Sequence, residues 1–429
     1  NKLLLDTYLS ANAGSQTQTV VNSALNQLEN TVGDTAAETS PAALIAKFNV
    51  ALQTYSSTPQ NSALAANAVS AAQQVVSALN SASDAVTTLR NQADTEIASS
   101  VDNINSLLSQ FKTLNQQVVT GTSTGRDVTD VLDQRDAVLK QLSTEIGIRS
   151  VSRDNGDMAI YTDSGVTLFD KTPRAVTFQP SGNLSASAIG APVYADGVPI
   201  AGTPHVMSIS TGKLAGLVEV RDSIAPTYQS QLDEIARGLI QTFAESDQSA
   251  TPTLPDAAGL FTYVGGPAIP ASGTIVPGLA SSIKLNATVD PTQGGNPERL
   301  RDGGIAGAAY TYNQGLGASY TDRIQQLITK LGATQPFDPS TQIQQAGSVS
   351  DFAKSSVSWL EALRQTSSSE AESRQTIADR AASTLSQDTG VNLDEEMTNL
   401  LSLERTYQAS SRLMTTVDDM ISTLIQSFS

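Results

Sequence analysis

No cysteine occurs among the 429 residues, which excludes a disulfide framework, a zinc-thiolate site and a thiol nucleophile and leaves the redox compartment unmarked. Histidine is almost as scarce. His205 is the only one, so a serine-histidine-acid triad would have to use it, and no Gly-x-Ser-x-Gly elbow accompanies it. A zinc site built on His205 would need carboxylates for every remaining ligand, and a loop or strand-end histidine is the simpler reading. Aromatic residues make up 5% of the chain; stretches such as Ala63 to Ala72 therefore imply thin helical cores, suited to elongated bundles. No run of 18 apolar residues is present, so nothing reads as a membrane-spanning helix and membrane insertion is not expected. Basic residues number 25 against 42 acidic ones, a net charge of −17 that repels nucleic acid and anionic membrane surfaces alike.

What is present is mostly helical periodicity. Val21, Leu25, Leu28 and Val32 step by four and three, with Gly33-Asp34 as a stop. Ser40-Pro41 offers a cap and first turn for a second helix carrying Leu44, Phe48 and Leu52. From Asn61 to Thr120 there is neither proline nor glycine, and Ile97, Ile104, Phe111 and Val118 recur every seventh residue with Val101 and Leu108 between them. One helix of about 90 Å, at roughly 1.5 Å per residue, is the simplest reading. Asn115 falls in line with Val101 and Leu108, either as a buried register-setting amide or as a solvated edge residue. Val131, Leu132, Val138, Leu139 and Leu142 mark another amphipathic helix.

The period then changes. Residues 146–153 and 158–162 alternate like strands joined by Asp154-Asn155-Gly156-Asp157, where Asn-Gly favours a tight hairpin turn. Asp163-Ser164-Gly165 predicts a second turn. Helix returns over 213–245 with a stripe of Tyr228, Leu232, Ile235, Leu239 and Phe243. Residues 250–345 are rich in Gly, Pro and Thr, with a short helix near 320–331. A final helical stretch runs from Ser350 to Gln387, after which Leu393, Leu400, Tyr407, Met414, Ile421 and Phe428 share one heptad position, with Leu403, Val417 and Leu424 on its companion.

These patterns predict a mainly α fold with inserted β structure, elongated and multidomain, in which a long-helix bundle is formed by both ends of the chain. The expected divisions are a helical bundle half at 1–145, an inserted antiparallel β domain at 146–211, a helix returning to the bundle at 212–249, a Gly/Pro-rich insertion of mixed β and irregular structure at 250–345, and long C-terminal helices at 346–429. The predicted assembly interface is Leu393, Met397, Leu400, Leu403, Tyr407, Met414, Val417, Ile421, Leu424 and Phe428. Asp133, Gln134, Arg135 and Asp136 form the candidate conformation-fixing polar motif, with a solvated helix face as the plain alternative.

Other chemistry is weaker. Asp394, Glu395 and Glu396 point about 100° apart on a helix and suit its N-terminal dipole better than a glycosidase pair. Asp154 to Asp157 resembles a calcium loop, but Gly165 stands where an EF-hand needs glutamate. Gly212-Lys213 lacks the spacing of a phosphate-binding loop. No enzyme, cofactor or metal is predicted.

Residues 390–400, Gly-Val-Asn-Leu-Asp-Glu-Glu-Met-Thr-Asn-Leu, followed by Tyr407-Gln408-Ala409-Ser410, resemble the C-terminal signature of the bacterial flagellar hook-filament junction proteins, the first hook-associated protein family. Leu132-Asp133-Gln134-Arg135-Asp136, Leu114-Asn115, and Gly212 to Leu217 leading to Arg221-Asp222 resemble the family in its own order. Thr129 departs from it, standing where the family usually has asparagine before its Asp-Leu-Leu-Asp-Gln-Arg-Asp motif.

The resemblance implies a structural subunit exported through the flagellar secretion apparatus to the cell exterior. It would be bound by an export chaperone at the C-terminal helix and assembled with itself as a ring between the hook protein and a second junction protein. The chain opens at Asn1 rather than Met, leaving room for a lost targeting segment. The family's N-terminal segment would also precede Asn1, so residues 393–428 are expected to be mobile or packed on another molecule. The alternative from a different class is a flagellin-like surface adhesin or carbohydrate-binding protein using residues 146–211. A glycoside hydrolase would need turnover abolished by a single carboxylate substitution.

Overall fold

The computed structural model describes residues 2–32, 39–202, 207–389 and 393–427, and at 388–389 and 393–396 the backbone only. Four helices open the chain: α1 (Lys2–Val32), α2 (Pro41–Ser57), α3 (Ser62–Ser123) and α4 (Thr129–Glu145). Their starts follow from local chemistry. The Ser40 hydroxyl accepts from the Ala43 N–H with Pro41 in the first turn of α2, and the Asn61 amide oxygen accepts from the N–H groups of Ala63 and Leu64 to begin α3. With 62 residues, α3 is about 93 Å long at roughly 1.5 Å per residue, and the rest of the molecule is strung along it.

The first helix extends far beyond its apolar run at Val21 to Val32. Its N-terminal half buries Leu5 and Leu9, then Ala13, Gly14, Ser15 and Thr17. Small residues are needed there because α10 (Val349–Thr389) lies antiparallel beside it. The Ser15 hydroxyl donates to Gln375 Oε1 at 2.8 Å, Gly14 faces the Arg374 side chain, and Arg364 pairs with Glu29 at 2.9 Å. The bundle is therefore made from helices at both ends of the described chain.

After α4 come β1 (Ile148–Ser152), β2 (Met158–Thr162), β3 (Thr167–Asp170) and β4 (Thr172–Pro173), an antiparallel sheet in that order, and β5 (Val176–Thr177), β6 (Val193–Ala195) and β7 (Val198–Ala201), a second one. Ser152 pairs with Met158, so the first hairpin closes through residues 153–157 rather than through a two-residue Asn-Gly turn. Asn155 and Gly156 both have positive φ, 60° and 75°, within a single 3-10 turn. The loop is wider than the dipeptide suggests because its carbonyl and carboxylate are held by α3 and α4, as described below.

The chain re-enters the bundle through α5 (Lys213–Glu219), a π-helical turn at Val220–Ile224 and α6 (Ala225–Thr242). Beyond it, short elements alternate with turns: β8 (Phe261–Thr262), α7 (Leu279–Ser282), β9 (Lys284–Leu285), α8 (Arg299–Asp302), α9 (Asp322–Leu331), β10 (Gln335–Pro336) and β11 (Ala346–Gly347). Two apolar cores result. The first joins Val21 to Val32 of α1, α2, the first half of α3 up to Leu89, α6 and apolar residues such as Leu260, Phe261, Ile283, Ile324 and Phe337 from the Gly/Pro-rich segment. That segment thus shares the bundle's core. At its centre the rings of Phe48, Phe243 and Phe261 meet tilted or edge to face, with centroids 5.2 to 5.9 Å apart. The second core joins Leu5 and Leu9, α3 from Ala93 to Phe111, α4 and both sheets.

The apolar stripe of α6 is buried, and so is its polar side. Gln229, Gln231, Asp233, Glu234 and Arg237 are all buried, and they read the backbone of the segment wrapped around them. Gln231 donates to the Thr341 carbonyl, Arg237 to the Pro336 carbonyl, and Asp233 accepts from the N–H groups of Gly278 (2.9 Å) and Ala280 (2.8 Å) and from Gln229 (2.9 Å). Backbone contacts of this kind satisfy loop groups that would otherwise be buried unpaired.

Burial pushes the Asp233 carboxyl up from 3.8 to about 6. A raised pKa in the folded state means that the protonated form favours folding. That contribution is complete below about pH 3.8 and is lost as pH rises through about 6, about 3 kcal/mol in all. Asp233→Asn removes the charge and keeps one acceptor oxygen, so that one of the two N–H groups loses its partner at every pH and only the pH-dependent part of the difference reports the carboxyl. The variant's melting temperature relative to the wild type is therefore expected to rise between pH 4 and pH 7 in parallel thermal scans. A difference independent of pH would exclude this assignment.

Candidate assembly interface

The last helix, α11 (Leu393–Ser427), is set apart from everything above. Every side chain described on it, from 397 to 427, is exposed. Elsewhere leucines and valines are mostly buried; here Met397, Leu400, Leu403, Tyr407, Met414, Val417, Ile421 and Leu424 stand between 47% (Val417) and 79% (Met414) exposed. The Leu393 side chain and the whole of Phe428 lie outside the described residues.

The heptad reading missed Leu401, Leu413 and Met420, which are also exposed. They sit one residue to either side of the heptad positions Leu400, Met414 and Ile421, and this adjacency was the signal available. Together with the heptad positions they widen the stripe beyond the two positions in seven that a two-stranded seam uses. A face of this breadth suits burial between two or more helices.

The Asp-Gln-Arg-Asp motif lies on α4 and divides cleanly. Asp133 and Gln134 face solvent, Asp136 is half-buried with its carboxyl pushed up by burial, and Arg135 is buried. From Arg135, Nη1 donates to Asn115 Oδ1 of α3 at 3.1 Å and to the Gly156 carbonyl at 2.7 Å. Asn115 Nδ2 in turn donates to Asp157 Oδ1 at 2.7 Å. Asn115 is thus a buried, engaged amide, and two segments singled out separately in the sequence, Leu114-Asn115 and the Asp-Gln-Arg-Asp run, form one cluster. It fastens the first β hairpin to two helices through the loop's own backbone.

The Gly212 to Asp222 run is the third fastening. Gly212 has φ 100° and its N–H donates to the Ala13 carbonyl of α1 at 3.0 Å. A Cβ on Gly216 would stand 2.7 Å from the Thr17 carbonyl oxygen, so α5 and α1 touch backbone to backbone. Arg221, fully buried in the π turn, donates to Asp94 of α3 (2.7 Å), to Asp222 through two nitrogens (2.8 and 2.7 Å) and to the Ala191 carbonyl (2.9 Å).

Among the described residues no group of three or more His, Cys, Asp or Glu is placed to hold a metal ion, and no helix is long and apolar enough to cross a membrane. His205 lies outside the described residues. Buried charge that holds segments together, beside an apolar helix left in solvent, is the arrangement of a structural protein.

The chain is similar to known proteins. The profile described as the flagellar hook-associated protein FlgK helical domain matches residues 25–257, and that described as the flagellar basal body rod FlgEFG protein C-terminal matches residues 386–427, which include α11. Flagellar hook-associated protein 1 of Bacillus subtilis is 24% identical over 374 residues, covering 82% of this chain and 69% of that protein. Its Escherichia coli counterpart is 27% identical over 183 residues, covering 42% of this chain and 33% of that protein. The solved flagellar hook junction protein FlgK from Burkholderia pseudomallei aligns with 60% of this chain and 47% of its own, at 24% identity and a TM-score of 0.49. The chain belongs to the flagellar hook-associated protein FlgK family, a family of structural proteins of the bacterial flagellum. The match spans a third of the Escherichia coli relative and about half of the solved chain.

Proposed function

We propose that this protein joins the flagellar hook to the filament as a subunit of a junction ring, and that α11 is the element through which it assembles. The observation that carries the reading is the exposed apolar stripe of α11, lying within the segment that matches the rod-protein C-terminal family. An apolar helix in solvent is an interaction surface awaiting burial. Its partners on this reading are further copies of the subunit, the hook protein below and a second junction protein above, with an export chaperone covering α11 before assembly. The subunit would travel unfolded through the flagellar secretion apparatus and act outside the cell. Within the subunit the Arg135 cluster keeps the β hairpin fixed against the bundle.

The test is a strain lacking the gene, viewed by electron microscopy with flagellin assayed in the medium. Bare hooks with flagellin leaked into the medium are expected. Normal filaments would remove the junction role and favour an adhesin using residues 146–211.

A further inference from the structure

The two apolar cores do not merge. Along α3 the first core ends at Leu89 and the second begins at Ala93; along α1 the change falls between Val20, packed against the second core, and Val21 of the first, and along the re-entering helix between Val218 and Val220. The plane between them is held by polar groups. Arg90 and Asp94 of α3 and Arg221 of the π turn are all buried there. Arg90 donates to the Arg221 carbonyl (3.0 Å) and to the carbonyls of Ser185 and Ala188 (2.7 Å each), while Asp94 receives Arg221 on one oxygen and the Ser181 N–H (2.7 Å) on the other. Beside this network an open cleft of about 380 Å³ enters the same plane, lined by Thr19, Val20, Ala93, Glu96, Lys213 and Leu217. Lys213 and Glu96 span it at 3.1 Å.

We propose that this plane is a flexure built into the subunit, and that the Arg90, Asp94 and Arg221 network is the pin that sets the angle between its two halves. Apolar packing is non-directional, and long helices curve gently at radii of about 60–100 Å, so α1, α3 and α10 can bend where no apolar core resists them. A charge-assisted network has one good geometry and does resist. Among the described residues the crossing helix with a π turn, at Val220–Ile224, is the one that carries Arg221, and such turns are frequent at functional sites. The loop at residues 179–191 is held through its backbone by all three members of the network, so it travels with the pin. This inference does not depend on the junction role.

The absence of cysteine makes the test direct. Spin labels at Ala46→Cys on α2 and Ser109→Cys on α3, both exposed positions in different halves, report the angle as a distance distribution by double electron-electron resonance on the full chain. A single narrow distribution is expected for the otherwise unchanged protein. At least a doubling of its width is expected with Arg221→Met or Asp94→Asn, with helical circular dichroism retained. Asp94→Asn preserves shape and leaves Arg221 its Asp222 partner, so it decides the matter if Arg221→Met does not fold. An unchanged width in the folded variant would overturn the proposal. So would faster amide exchange confined to residues 179–191 without a change in distance, because the network would then only hold that loop.

Discussion

Leu400→Asp combined with Met414→Asp abolishes incorporation of the subunit into flagella while leaving its thermal unfolding where it was. The two halves of this expected result come from the same numbers. In the free subunit Leu400 is 61% and Met414 79% exposed, so a carboxylate at either position loses almost no packing, and the stability change should stay within about 0.5 kcal/mol. On the proposed mode of assembly both positions lie inside a packed helical interface. Each uncompensated carboxylate there costs several kcal/mol, and a separation of two heptads puts both charges on the same stripe. Complementation of a strain lacking the gene, scored by counting filaments, reads the first half; thermal scans of the purified variant read the second. Wild-type filament numbers would count against α11 as the assembly element.

The largest loss of stability from one substitution is expected at Arg237. Its guanidinium and the Glu234 carboxylate are both fully buried and meet at 2.7 Å, with a second contact at 2.8 Å. Arg237 also donates to the Pro336 carbonyl, and Glu234 accepts from the Asp338 N–H. Arg237→Ala strands the carboxylate without its partner, which costs about 3–5 kcal/mol and lowers the melting temperature by on the order of 10 °C. The double variant Glu234→Leu, Arg237→Met removes both charges and fills the same space. It should recover a large part of the loss, because most of the single variant's penalty is the unpaired charge. Recovery falls short of complete because Pro336 and Asp338 each lose a hydrogen-bond partner. A single variant within 1 kcal/mol of the wild type would show that the pair is solvated.

Strong periodicity was legible and weak periodicity was not. The long helix from 62 to 123, the helices at 41–57 and 129–145 and the heptads of α11 follow from apolar spacing and caps that need nothing outside the segment. The N-terminal half of α1 was silent because its buried residues are small to suit distant segments: Gly14 and Ser15 meet α10, some 360 residues away, and Ala13 and Thr17 meet Gly212 and α5. The polar face of α6 gave no signal either: the stripe of Tyr228 to Phe243 marks one buried side, whereas Gln229, Asp233 and Arg237 are buried because a loop from later in the chain covers them.

The candidate motif was found as a run, but its working partner was not. Arg135 lies between two aspartates in sequence and reaches instead for Asn115 and the Gly156 carbonyl, a choice fixed by the packing of α3, α4 and the hairpin. That the 250–345 segment contributes to the bundle's core was equally beyond reach, since Gly, Pro and Thr composition describes its turns and says nothing of where Phe261 or Ile324 will lie.

The reading rests on α11 being exposed in the free subunit and buried in the flagellum. In a chain without cysteine, Met414→Cys supplies one thiol at the most exposed position of the stripe. Maleimide labelling of the purified subunit and of intact isolated flagella from the same strain compares the two states. The expected outcome is complete labelling of the free subunit and strong protection in flagella, with protection lost when they are dissociated by acid. Equally rapid labelling in both states would contradict assembly through α11.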